Sequence, residues 1–226
     1  MKRSTPFLIL STLLLVILGM VLIKYDKAQL HLMMNAYHTP ALDYFFRYYT
    51  YVGEWIPYVI VVGLLFYKAG WASFLLTDVL LSGLIAQRLK YVFNTDRPYY
   101  YFAQNLPDVQ LPFVDGVTLS KWYSFPSGHT VTFFAMFLTL ALILTEMLIC
   151  NSQKESEIKN LFINFVCFLF AVLGAYSRIY LSQHFAEDIF GGAIIGIITT
   201  ILLYIAVPYM QNKPFWDWKI RKMQKK

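Results

Sequence analysis

Three short stretches of this chain carry side chains suited to work on an anion. The first holds Lys90, Arg97 and Pro98, the second is Pro126-Ser127-Gly128-His129, and the third holds Ser177-Arg178, His184 and Asp188. Together they supply three cations, two histidines and one carboxylate. Phosphoryl transfer asks a protein mainly to position the phosphate and neutralise charge on its oxygens. Lys90, Arg97 and Arg178 suit that task, because guanidinium forks match phosphate oxygens bidentately and an ammonium adds a compact charge. His184 and Asp188 are four residues apart and so share a helix face. A carboxylate bonded to one ring nitrogen fixes the tautomer and leaves the other nitrogen free to attack phosphorus. His129 can then protonate the leaving oxygen and later activate water. The expected reaction is cleavage of a phosphoester through a covalent phosphohistidine.

Ser127 and Gly128 fit the same chemistry. A glycine lets the backbone approach a ligand, a helix start offers free N–H groups to an anion, and Ser127 adds a hydroxyl or a cap. Plainer readings exist for the parts. Any one cation at a helix end could be an interfacial side chain whose charged head reaches water. An ordinary helix start accounts for Pro126 and Ser127, though not for His129. A His/His/Asp metal site is the rival for the histidines, and the three nearby cations would repel a divalent ion there. No metal or other cofactor is therefore expected.

The elements that must hold these residues follow from composition. Apolar residues make up 58% of the chain and charged residues 14%, with a mean hydropathy of +0.52. A soluble domain carries about 25% charged residues, so this chain lacks the charge to cover a water-facing surface. Apolar runs fall at Pro6–Ile23, Trp55–Tyr67 (extending back through Tyr48), Trp71–Leu89, Gly128 to about Ile149, Leu161–Tyr176 and Ile189–Tyr209. Each approaches the roughly 20 residues that a membrane-spanning helix needs. The expected fold is an all-α polytopic bundle of about six transmembrane helices. One domain then covers 1–226, with the catalytic signature at 90–188 and a short basic tail at 210–226.

Six spans from an inward N-terminus place residues 1–5, the Lys68 turn, the 150–160 loop and the tail on the inner side. Those regions hold eleven of the nineteen basic residues, as the positive-inside rule requires. The three motifs then face outward from a cytoplasmic, or inner, membrane. The net charge of +6 reflects this asymmetry and gives no reason to invoke nucleic acid; the expected partner is a lipid in the bilayer. Met1-Lys2-Arg3 before an apolar run resembles a secretory leader, but no small-x-small cleavage site follows, so a retained first helix is expected.

Other polar residues are read more plainly. Asp78, about 18 Å along the helix from Lys90, is expected to hydrogen-bond between helices. Glu146 should sit at the inner interface, and Glu187 should point away from Asp188. Gly192 to Gly196 forms a small-xxx-small pattern suited to close helix packing. Trp216 to Lys222 reads as an interfacial anchor on anionic lipid. The 28 residues from Pro98 to Phe125, rich in aromatics, should form a cap that touches the substrate headgroup. Cys150 and Cys167 suggest neither a disulfide framework nor a metal site. His31 and His38 find no partner in the sequence.

In order and in every motif position, the three segments resemble the signature of the type-2 phosphatidic acid phosphatase superfamily, which includes bacterial lipid phosphatases and vanadium haloperoxidases. The resemblance implies His184 as nucleophile, Asp188 as its orienter and His129 as acid and base. Lys90, Arg97 and Arg178 would hold phosphate, with Ser127 and Gly128 completing the pocket. The apolar spans speak against a soluble haloperoxidase, and the intact motifs against a silent scaffold; a lipid phosphotransferase stays open. The short chain resembles the compact bacterial enzymes that remove the 4′-phosphate of lipid A. Undecaprenyl diphosphate, phosphatidylglycerol phosphate and phosphatidate are the alternative substrates.

Overall fold

The computed structural model describes residues 4–148 and 153–220. Met1-Lys2-Arg3, Cys150 and the basic residues from Arg221 onward lie outside the described residues. Helices account for nearly all regular structure: α1 (Thr5–Lys24), α2 (Lys27–Met34), α3 (Pro40–Tyr49), a 3-10 turn (Thr50–Gly53), α4 (Ile56–Leu64), α5 (Ala69–Phe93), α6 (Pro98–Asn105), α7 (Gly128–Leu148), α8 (Gln153–Tyr180) and α9 (Ala186–Gln211). Five of them are long and apolar enough to cross a membrane. Local signals set many of the ends. Asp26 caps α2 through the Ala28 N–H, Thr39 caps α3 just before Pro40, and Asn94 ends α5 in the left-handed conformation with φ 41°.

The second expected span is not one helix. Its nine-residue α4 is about 13 Å long, less than half of a hydrocarbon core of about 30 Å. The path from Pro40 to Leu64 is instead assembled from α3, the 3-10 turn and α4, broken at Gly53 and restarted at Pro57. Phe133 of α7 packs against Gly53: a Cβ there would meet its ring at 2.7 Å. The fifth span also differs, because α8 begins at Gln153 rather than near Leu161. Its first residues are Gln, Lys and Glu, which are good helix formers. Their polarity marks the end of the apolar layer and not the end of the helix, so much of the expected 150–160 loop is helical.

α7 is the central post. Two thirds of its apolar stretch (67%) is buried against other helices, compared with 11% for α1, which lies at the periphery. One core cluster joins α1, α7, α8 and α9 around Phe7, Phe134, Ala171 and Ala193. A second joins α4, α5 and α7 around Phe74, Phe133 and Met136. The helices α7 and α9 meet backbone to backbone: a Cβ at Gly192 would sit 2.7 Å from the Ser127 carbonyl, and one at Gly196 would sit 2.6 Å from the Val131 carbonyl. The small-xxx-small pattern thus fixes the start of α7 against the start of α9, the two ends that carry His129 and Asp188.

Asp78 ties three helices together in the middle of the bundle. Its Oδ2 accepts from Thr139 of α7 at 2.9 Å and from Thr200 of α9 at 2.7 Å. Such bonds between membrane helices contribute about 1 kcal/mol. Asp78→Asn is expected to lower the melting temperature in detergent by a few degrees while kcat stays within about threefold, since no reacting group is near. A collapse of rate in protein that still elutes as a folded species would show that this residue acts on the site.

The opposite end of the bundle is closed by the tail. Lys68 donates to Glu146 at 3.0 Å and lies 3.6 Å from Asp217, while the Trp71 indole also donates to Glu146. Glu146 and Asp217 together hold the Lys68 pKa above its ordinary value, the hydrogen bond that Lys68 donates to Glu146 being the largest cause. Trp216 is not the lipid anchor that its interfacial surroundings suggested; it is 2% exposed, packed on Trp71 and over Gly70. Backbone bonds from Ala69 and Gly70 to Trp218 and Trp216 hold it there. Trp218 alone of the pair is exposed.

Candidate active site

Four helix ends converge on one side of the bundle: the end of α5 with Lys90, the start of α7 with His129, the end of α8 with Arg178, and the start of α9 with Asp188. Arg97 joins them from the start of α6, and His184 from the turn between α8 and α9. The three cations, both histidines and Asp188 are therefore brought to one place. His184 is almost completely buried, and its Nδ1 lies 3.3 Å from Asp188 Oδ2. That oxygen also accepts from the Ser124 hydroxyl at 2.5 Å and from the Phe185 N–H at 2.8 Å. The last bond is half of a capping box, in which a carboxylate three residues into the helix reaches back to the cap N–H. Asp188 thus starts α9 and orients His184 with one oxygen.

Burial pushes the His184 pKa well below its ordinary value, and the fields of Arg97, Lys90, Arg178 and His129 push it the same way. Its imidazole is neutral at pH 7, and Nε2 has no hydrogen-bond partner among the described residues. A neutral ring with one free nitrogen has the form that a nucleophile requires.

Neutral oxygens hold the three cations. Lys90 donates to the Tyr123 carbonyl at 2.5 Å, and Arg97 donates to the Trp122 carbonyl and to Gln183 Oε1 at 2.9 Å. Arg178 donates to the Thr50 hydroxyl, and its buried Nε has no acceptor. None has a carboxylate within 4.0 Å among the described residues. Three desolvated cations without a counter-ion make a site whose missing partner is an anion. Ser127 caps the first turn of α7 through Thr130. At Gly128 a Cβ would meet Lys90 Cε only at 3.9 Å, so protein packing does not demand the glycine and the space before it is open.

Several residues here were not found from the sequence. Glu54 Oε1 is 2.8 Å from His129 Nε2, giving that histidine a carboxylate as Asp188 serves His184. Thr50, Glu54 and Arg47 lie along one side of the broken second segment, at spacings of three, four and seven that place them together on a helical path. That polar stripe was the available signal. Ser124 and Gln183 gave none, since both sit in irregular chain. The Pro98–Phe125 segment does lie against the site, where its carbonyls receive Lys90 and Arg97 and its Thr118 carbonyl receives Gln183.

Beneath the site a polar network fixes the turn that carries His184. Asn35 donates to the carbonyls of Ile179 and Tyr180, capping the end of α8, and also to Ser182. His38 bridges Asn35 and Asp43, and the Tyr180 hydroxyl donates to Asp43 at 2.5 Å. His31, wholly buried against Phe102 and Phe185, lies 3.4 Å from the Ser182 hydroxyl. Burial pushes its pKa down to about 4. Its neutral state therefore adds stability above about pH 6.5, and that contribution is lost as the pH falls towards 4.

The profile of the PAP2 superfamily matches residues 71–212. The chain is 30% identical over 195 residues to the lipid A 4′-phosphatase of Porphyromonas gingivalis, covering 83% of this chain and 75% of that one. It is 26% identical over 150 residues to phosphatidylglycerophosphatase B of Bacillus subtilis, covering 66% of this chain and 65% of that one. Among solved structures, LpxE of Aquifex aeolicus superposes with a TM-score of 0.62 at 29% identity, over 79% of this chain and 94% of that one.

Proposed function

The chain belongs to the PAP2 superfamily and is an integral membrane lipid phosphatase, and on that footing we propose that it removes the 4′-phosphate of a lipid A-type glycolipid through a phosphohistidine on His184. The observation that carries the chemistry is the cluster of Lys90, Arg97 and Arg178, without carboxylate partners, around a histidine whose Nδ1 faces Asp188. In this scheme the cations and the start of α7, with Ser127 and Gly128, hold the phosphate oxygens. His184 Nε2 attacks phosphorus, His129 gives a proton to the departing sugar oxygen, and the same histidine then takes one from water to release phosphate. No metal enters the scheme.

The lipid A assignment is supported by the relative from P. gingivalis, which this chain matches over three quarters of that protein's length. The side of the membrane is read from charge. Lys68, Lys159, Lys213 and Lys219 lie at the end of the bundle away from the site, which supports an inner membrane with that end and both termini cytoplasmic and the site on the outer face.

The test is phosphate release by purified protein in detergent with EDTA present, from lipid A, undecaprenyl diphosphate, phosphatidylglycerol phosphate and phosphatidate. The highest kcat/KM is expected on lipid A, with loss of one phosphate by mass spectrometry. Preference for undecaprenyl diphosphate would overturn the substrate. Activity lost in EDTA and restored by a divalent ion would overturn the metal-free scheme. A newly phosphorylated lipid in place of free phosphate would make the enzyme a transferase.

A further inference from the structure

A cavity of about 230 Å³ opens beside the phosphate site, lined by Arg47, Tyr51, Glu54, Thr118, Arg178 and Gln183 among others. It is continuous with the catalytic groups: Arg178 is common to both, Glu54 also holds His129, and Gln183 also holds Arg97. A group filling it would stand next to a phosphate held by Arg178 and Arg97. The volume is below the roughly 300–1,000 Å³ of sites for drug-sized ligands, so the cavity takes one ring-sized headgroup.

Arg47 is the informative residue, and it belongs to none of the three motifs. It is half-buried and makes no hydrogen bond or ion pair with a described residue. Its guanidinium packs against Gly116, whose φ of 76° and missing Cβ make room for it, and stands 5.6 Å from the Tyr48 ring. A partly buried arginine with unused donors calls for an acceptor in the ligand.

The rest of the lining decides which acceptor. A second phosphate would face the Glu54 carboxylate across a small space, and an acyl chain would leave the donors of Arg47 without a partner. Sugar hydroxyls both donate and accept, so they satisfy Arg47 and Glu54 together, while the Tyr51 ring offers an apolar face to ring C–H groups. We infer that this cavity is the sugar subsite: it encloses the hexosamine ring that bears the scissile phosphate, with Arg47 as the residue that sets the preference for a glycolipid. The inference rests on the lipid A-type reading and deepens it.

The experiment measures kcat/KM of the full chain in detergent on lipid A and on phosphatidate, for wild type, Arg47→Ala and the cavity-filling Thr118→Tyr. The ratio of the two values is expected to fall by at least about tenfold in each variant, mostly through KM on lipid A. Thr118→Tyr keeps the test decisive where Arg47→Ala does not fold. An unchanged ratio, or equal losses on both lipids in folded protein, would overturn the subsite. Undecaprenyl diphosphate is the third substrate measured: a selective loss on it would make the cavity an anion site and overturn the subsite too. The two levels separate cleanly. Wild type without preference for lipid A defeats the substrate reading and the subsite together; a wild-type preference that survives Arg47→Ala defeats the subsite alone.

Discussion

His184→Ala is expected to abolish turnover, with a loss of about 10⁴-fold or more, and to remove covalent labelling of the protein by substrate phosphate. The size of the effect follows from how much converges on this ring. Asp188 Oδ2, itself fixed by Ser124 and the Phe185 N–H, lies 3.3 Å from Nδ1. The turn holding the ring is pinned from below by Asn35. With its pKa pushed well below the ordinary value of 6.5 by burial and three cations, the ring stays unprotonated as the pH falls. The acid limb of kcat/KM for wild type therefore lies below about pH 6.5, and the group responsible is lost in the variant. Rapid acid-free quenching with ³²P-labelled substrate reads the intermediate directly. Label that survives in folded His184→Ala protein, or that vanishes only when His129 is changed, would move the nucleophile elsewhere.

What could be read in advance, and what could not, divides along the range of the interactions. Membrane spans are visible because apolarity accumulates along the chain, and α1, α5, α7 and α9 fall within a few residues of the expected runs. The motif residues are visible because their types are rare together near the ends of apolar segments. Hydropathy carries no phase, however, so it could not show that the second span breaks at Gly53, where Phe133 needs the space. Once that segment is misplaced, Thr50 and Glu54 look like incidental polar residues and not like partners of Arg178 and His129. Polarity likewise marked the membrane edge near Leu161 while the helix continued back to Gln153. Trp216 misled because an indole beside lysines suits both a headgroup layer and a cavity over Gly70, and only the fold of the tail decides between them.

The pairing of His129 with Glu54 leads to the second large effect. His129→Ala is expected to slow hydrolysis of the lipid substrate by about 10²–10⁴-fold, the range for loss of a positioned general acid. An aryl phosphate such as p-nitrophenyl phosphate expels a stable anion and needs little protonation, so its hydrolysis should fall by no more than about tenfold. Glu54 lies 2.8 Å from His129 Nε2 and holds the ring in place, so Glu54→Gln should show the same pattern at smaller amplitude. Its loss should be concentrated on the poor leaving group, with the phosphohistidine still formed from the aryl ester. The cations stay in place in both variants, so binding of the phosphate, read from KM for the aryl ester, should change little. Equal losses on the two classes of substrate would remove the acid role from His129 and leave it as one more contributor to phosphate binding. Equal losses in Glu54→Gln alone would reduce Glu54 to a structural contact of the broken second span.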